Sequence, residues 1–284
     1  MTRPTAPKDE CVIRSVTTSL GDFTLLRARY FTQHFARHSH EELPVGVIES
    51  GALGFHYRGA NTAAHRGMVS IANPDDPHNG YAVGESGWSY RMFYLSPSLV
   101  SSVMRGISDT RVNTPLFPLG TIRDDRLASA LSDLHRMYES SPTSDIEREE
   151  LLLDIMKYLI TSHSTDRIYE RNCGAEPMMV ERIKEYLRAH ADQLITLADL
   201  SRITGLSPFY LSRSFRSATG LPPSEYLTQL RVRHARALLA GNTSLSQIAL
   251  NVGFSDQSHF TRRFKSIEGI TPAAYRKIIQ DRIS

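Results

Sequence analysis

The chain has 284 residues, 40% of them hydrophobic and 22% charged, which suffices for one large core or two ordinary ones and excludes a disordered chain. The net charge of +3 is uneven: residues 175–284 hold 15 Lys+Arg against 9 Asp+Glu, whereas residues 1–174 hold 18 against 21. A basic C-terminal part points to nucleic acid as partner, with a solvated basic surface as the plain alternative.

No run of 18 apolar residues occurs, so no membrane partner is expected. MTRPTAPKDE has no apolar signal segment, and Cys11 and Cys173 are too few and too far apart for a disulfide framework or a metal cluster. The expected location is a reducing cytoplasm.

Residues 1–120 carry short β-rich runs: ELPVGVIES (42–50), ALGFHYRG (52–59), GMVSIAN (67–73) and WSYRMFYL (88–95). Turn signals at Ser50-Gly51, Arg58-Gly59 and NPDDP (73–77) bound them, which predicts a small barrel or sandwich. His38, His40, Tyr57, His78, Trp88, Tyr90 and Arg91 supply the aromatic walls and polar groups of a small-ligand site. Taken singly, Trp88 and Tyr90 read first as core. His38 and His40, two apart on a strand, would face one side, and with His78 they give three imidazoles able to bind Zn²⁺ or Fe²⁺.

Residues 121–163 turn helical. Ile122, Leu127, Leu131, Leu134 and Tyr138 form one stripe, and Leu151, Leu152, Ile155, Met156 and Leu159 form another, with SSPTS (140–144) as the turn between. The stripes either pack on the strands or pair two chains into a homodimer. Glu147, Glu149 and Glu150 read as a solvated helix start, not as paired catalytic carboxylates. No Gly-rich phosphate loop or Ser/Cys nucleophile motif is present, so no enzyme is expected. Residues 164–176 lose apolar periodicity and read as a linker.

Residues 177–284 read as helices throughout. Met179, Ile183, Tyr186 and Leu187 mark the first, and Pro223 to Ala240 a longer one ended by Gly241. TLADLSRITGLS (196–207) aligns with SLSQIALNVGFS (244–255) at a shift of 48. With one inserted residue, Leu211, Arg213, Phe215, Arg216, Gly220, Pro223 and Tyr226 match Phe260, Arg262, Phe264, Lys265, Gly269, Pro272 and Tyr275. Each copy reads helix, Gly turn, helix, which is the helix-turn-helix plan. Ser207 and Ser255 are placed to cap the second helices. At 100° per residue the aromatics face inward while Arg213, Arg216, Ser258, Arg262 and Lys265 face outward, with Gln257 and Thr261 on a flank. An outward Arg in the major groove can give two hydrogen bonds to guanine, and Gln can pair with adenine.

GLSPFYLSRSFRSATGLPPSEYL and GFSDQSHFTRRFKSIEGITPAAYRK resemble the double helix-turn-helix domain of the arabinose-regulator (AraC/XylS) family, over roughly residues 178–277. The ending G-I-T-P-x-x-Y-R is the most diagnostic piece. The resemblance implies that the second helix of each unit enters the major groove of double-stranded DNA. By position it carries Phe209, Ser212 and Arg213 from the first copy, and Gln257, Ser258, His259, Thr261 and Arg262 from the second. HSHEELPVGVIESG, the NPDDPH turn and GWSYRMFYL resemble the cupin-like sensor domain of many members. The expected fold is therefore α+β: a cupin-like sensor barrel over 1–120, a dimerising or packing helical segment over 121–163, a linker over 164–176, and an all-α double helix-turn-helix domain over 177–284. The expected function is ligand-responsive, sequence-specific DNA-binding transcription regulation, with a small-molecule effector and, in an activator, RNA polymerase as further partners. Two alternatives remain: a constitutive DNA-binding regulator whose barrel only dimerises, and a metal-dependent cupin enzyme fused to a DNA-binding domain. Metal cupins usually carry a carboxylate four residues after the second His; here that position is Pro44, and Glu42 is offset by two. No metal and no cofactor are therefore expected.

Overall fold

The computed structural model describes residues 9–107, 114–140, 145–165, 177–268 and 270–283. Most of the expected linker, most of the SSPTS turn, Cys173 and Gly269 lie outside these residues. The chain divides into two compact units, one of residues 1–144 with 151–172, the other of residues 145–150 with 173–284. No helix among the described residues is long and apolar enough to cross a membrane.

Among the described residues the first unit has nine strands: β1 (Glu10–Thr18), β2 (Gly21–Tyr30), β3 (His34–His38), β4 (Leu43–Tyr57), β5 (Ala60–His65), β6 (Val69–Ile71), β7 (His78–Ala82), β8 (Trp88–Leu95) and β9 (Thr121–Ile122). The two runs expected at 42–59 are one 15-residue strand, β4, with a register shift between Ile48 and Ser50 and Gly51 at φ 67°. A Cβ on Gly51 would lie 1.9 Å from the Gly87 carbonyl oxygen, so only glycine lets the strand bend there against its neighbour. Before the bend β4 pairs with β8 and β6; after it β4 pairs with β5 and β7.

The strand order β1-β2-β8-β4-β6-β9 begins and ends on edges, and β3 pairs β7 while β5 pairs β4. Among the described residues nothing joins β1 to β9. The sheet is bent but open, so the cupin-like β-barrel expected over residues 1–120 is not formed. Closure needs continuous pairing around the ring, and β9 offers only two residues, both paired to β6. Ile122, read as helical from its spacing, is half of that strand.

Helices α1 (Pro97–Ile107), α2 (Asp125–Ser140) and α3 (Ile146–His163) follow, with Leu127, Leu131, Leu134 and Tyr138 of α2 buried. α2 packs on β4 and β8.

The second unit holds α4 (Pro177–Ala189), α5 (Leu197–Thr204), α6 (Pro208–Thr219), α7 (Pro223–Leu239), α8 (Leu245–Asn251), α9 (Gln257–Glu268) and α10 (Pro272–Ile283). The repeat is visible in three dimensions. Leu200 and Ile248, Leu211 and Phe260, and Phe215 and Phe264 are all fully buried. Phe215 meets Tyr226 edge-on at 5.6 Å, and Phe264 meets Tyr275 edge-on at 5.4 Å. Arg188 donates to the Tyr226 hydroxyl as Arg236 does to Tyr275.

The acidic run is not the solvated helix start expected: Glu149 is 0% exposed and Glu150 6%. Both carboxylates accept from backbone N–H groups at helix starts, Glu149 from Leu197 at 2.8 Å and Glu150 from Ser224 at 3.2 Å. A helix N-terminus has unsatisfied donors and a positive dipole end, which is why buried carboxylates are tolerated there.

Candidate ligand cavity and DNA-reading helices

The two halves of the bent sheet face one another across a cavity of about 310 Å³. Alternation along β8 aims Trp88, Tyr90, Met92 and Tyr94 at it, and β2 adds Leu26 and Tyr30. Tyr30 lies opposite Trp88 in the ladder, with ring centroids 5.2 Å apart, and meets Phe35 edge-on at 5.4 Å. Burial holds the phenols of Tyr30 and Tyr90 far above their usual range and pushes that of Tyr94 up to about 12, so all three are neutral hydrogen-bonding groups. Trp88 is 1% exposed, and its indole N–H has no hydrogen-bond partner among the described residues.

Of the seven residues expected at this site, His38, His40, His78, Trp88 and Tyr90 line the cavity, and Tyr57 and Arg91 do not. Arg91 is one residue from Tyr90 and so points to the opposite face. There it pairs with Glu49 at 2.7 Å and with Glu139 of α2, and it donates to His135 Nδ1 at 3.2 Å. The buried Tyr57 hydroxyl accepts from the Asn73 backbone and side-chain N–H groups and donates to Asp76 at 2.9 Å. It organises the turn that delivers His78. Tyr30, Phe35, Met92 and Tyr94 were missed; for Met92 and Tyr94 the available signal was the period of two that continues from Trp88 and Tyr90 along the strand.

His38, His40 and His78 meet at one end of the cavity. His38 Nε2 lies 3.1 Å from His40 Nε2, and one ring nitrogen from each residue lies within 4.8 Å of the other two. His38 Nδ1 donates to the Ala36 carbonyl at 2.7 Å and His78 Nδ1 to the Asp76 carbonyl at 2.9 Å. A carbonyl only accepts, so in each neutral ring Nε2 carries the lone pair. Burial lowers the pKa of His40 and His78, and the neighbouring histidines lower both further.

In the second unit, α6 and α9 are the second helices of the two helix-turn-helix copies. Ser207 caps α6, accepting from Tyr210 N–H, and Pro208 takes the first helical position. The cap of α9 is Asp256, accepting from His259 N–H at 2.7 Å, not the expected Ser255. The insertion that aligns the second helices makes Asp256 the true match of Ser207. Gln257, Ser258, Arg262 and Lys265 are exposed along α9, and His259 and Thr261 are half-buried. The His259 ring lies 3.4 Å from Glu147, whose carboxyl is raised by burial but held below its usual range overall by His259 and Arg263. On α6, Arg216 is exposed, and Ser212 and Arg213 are half-buried. Ser212 donates to Glu150 at 3.0 Å. Phe209, expected to reach outward, is only 7% exposed and belongs to the core. The adjacent arginines of α9 divide the work: Arg262 projects into solvent, whereas Arg263 pairs with Glu147 and Glu225 and anchors the helix.

Residues 20–156 match the AraC-like ligand binding domain, and residues 200–278 match a helix-turn-helix domain. The HTH-type transcriptional regulator YbfI of Bacillus subtilis is 28% identical over 233 residues, covering 82% of this chain and 84% of that one. YisR of the same organism, also an HTH-type regulator, is 35% identical over 99 residues, 34% of each chain. A solved transcriptional regulator from Chromobacterium violaceum with an AraC-type DNA-binding domain is 30% identical, covering 35% of this chain and 90% of that one, with a TM-score of 0.33. All three are transcriptional regulators by name. With an AraC-like ligand binding domain ahead of a duplicated helix-turn-helix, the chain belongs to the AraC/XylS family of transcription regulators.

Proposed function

We propose that this regulator responds to a small, largely apolar effector held in the sheet cavity, and that α6 and α9 read promoter DNA from successive major grooves. The observation that carries the sensing half is the cavity itself. About 310 Å³ lined by aromatic side chains, with a buried indole N–H lacking an acceptor, suits a ligand bearing one oxygen acceptor. The reading half rests on the two equivalent helices and on the exposed Gln257, Ser258, Arg262 and Lys265 of α9 with Arg216 of α6. The apolar stripe of α2 is buried within its own unit, so a homodimer would form through other surface.

Trp88 is the chain's single tryptophan, so its fluorescence reports the cavity directly. In a small-molecule screen, a true effector shifts Trp88 emission, raises thermal stability by up to about 2.7 kcal/mol at a hundredfold excess over Kd, and changes affinity for promoter DNA. Hits that bind and shift Trp88 but leave DNA affinity unchanged would favour a constitutive regulator.

A further inference from the structure

We propose that His38, His40 and His78 form a three-imidazole site for a divalent transition ion of the Zn²⁺ class, open towards the cavity. The sequence argues against a metal because Pro44 stands where a carboxylate ligand is expected, but three histidines alone make a sufficient protein ligand set when the fourth position is left to a water or an exogenous donor. The three rings come from separate segments, the end of β3, the loop after it and the start of β7, and converge on one point.

Two of the three tautomers are set for coordination. The Ala36 and Asp76 carbonyls take the Nδ1 protons of His38 and His78, which is the outer-shell arrangement that orients metal-ligating imidazoles and leaves Nε2 free to bind. A tetrahedral ion with bonds of about 2.1 Å needs nitrogens about 3.4 Å apart. His38 and His40 stand at 3.1 Å, and with no separation above 4.8 Å the third nitrogen closes by at most about 1.4 Å, within the reach of a ring rotation. Nitrogen donors without thiolate suit Zn²⁺, Ni²⁺, Cu²⁺ or Fe²⁺ rather than Mg²⁺ or Ca²⁺. All three histidines line the cavity, so the open coordination position faces the space in which an effector would sit.

The test uses the full chain, stripped with a chelator and then dialysed. ZnCl₂ is titrated by calorimetry, and CoCl₂ by visible absorption, which distinguishes tetrahedral nitrogen ligation from a hydrated ion. The site requires one saturable ion per chain and a tetrahedral Co²⁺ spectrum. His40→Ala and His78→Ala should each weaken binding about tenfold or more. The exposed His65→Ala should leave it unchanged, and MgCl₂ should not compete. Circular dichroism establishes that each variant is folded, and the wild-type stoichiometry and spectrum stand independently of the variants. Absence of one-per-chain binding in the wild type, or binding unaltered in folded His40→Ala and His78→Ala, would overturn the proposal. No effector enters this experiment, so its failure would leave the sensing reading intact.

Discussion

Gly205 and Gly253 occupy equivalent turns at φ 74° and 90°, but their surroundings differ. A Cβ on Gly205 would meet nothing within 4 Å, whereas one on Gly253 would lie 2.7 Å from the Ala191 carbonyl oxygen and 2.9 Å from Arg231 Nε. Those two atoms already bond each other at 2.8 Å, so neither can yield cheaply. Gly205→Ala should therefore cost only the left-handed backbone penalty, about 1–2 kcal/mol, and Gly253→Ala clearly more, as read by urea unfolding. Equal losses would contradict the close approach. His135 makes the second prediction. Burial first, then the charge of Arg91 beside it, pushes its pKa down to about 4, against about 6.5 in an unfolded chain. Above pH 6.5 the ring is neutral in both states and its contribution is complete. As pH falls from 6.5 towards 4 the unfolded chain takes up a proton that the folded one refuses, so stability falls by roughly 3 kcal/mol. A His135→Gln variant should lose that slope; an unchanged slope would mean that other groups carry it.

At the scale of elements, the first turn of α3 acts as a set of caps within the second unit. Glu150 takes the Ser224 N–H at the start of α7 and the Ser212 hydroxyl of α6. Glu150→Ala takes the acceptor from the buried Ser224 N–H and from the half-buried Ser212 hydroxyl, and should cost about 1–3 kcal/mol in denaturant unfolding. A loss under about 0.5 kcal/mol, as for a solvated surface residue, would show that the contact carries little. The acidic run was misread because burial of a carboxylate depends on partners far along the chain, and nothing in Glu147–Glu150 encodes Leu197 or Ser224. The helix-turn-helix pairs were legible for the opposite reason: their apolar spacing, glycines and repeat are local. Residue type alone put Trp88 and Tyr90 among the cavity candidates, and the period of two along the strand should have sent Arg91 to the other face. The edge strand β1 and its neighbour β2 went unread, where Arg14, Arg27 and Arg29 break up the apolar pattern.

Across the whole molecule, a chain net of +3 hides a basic DNA-binding part and an acidic N-terminal part. Sequence pattern revealed this division, but not whether the sheet closes, because closure depends on which distant edges pair. It also put three histidines within reach of one another without showing that backbone carbonyls fix two of their tautomers. On our proposal this regulator reads DNA through outward side chains held by buried aromatics. Arg262 is the sharpest probe of it, being exposed on α9 between the fully buried Phe260 and Phe264. Fluorescence anisotropy of a promoter fragment, titrated with wild type and Arg262→Ala at several salt concentrations, is the measurement. The variant should fold normally and bind its specific site about 1–3 kcal/mol more weakly, while its affinity for unrelated DNA changes far less. Specific binding equal to wild type at every salt concentration would contradict the claim.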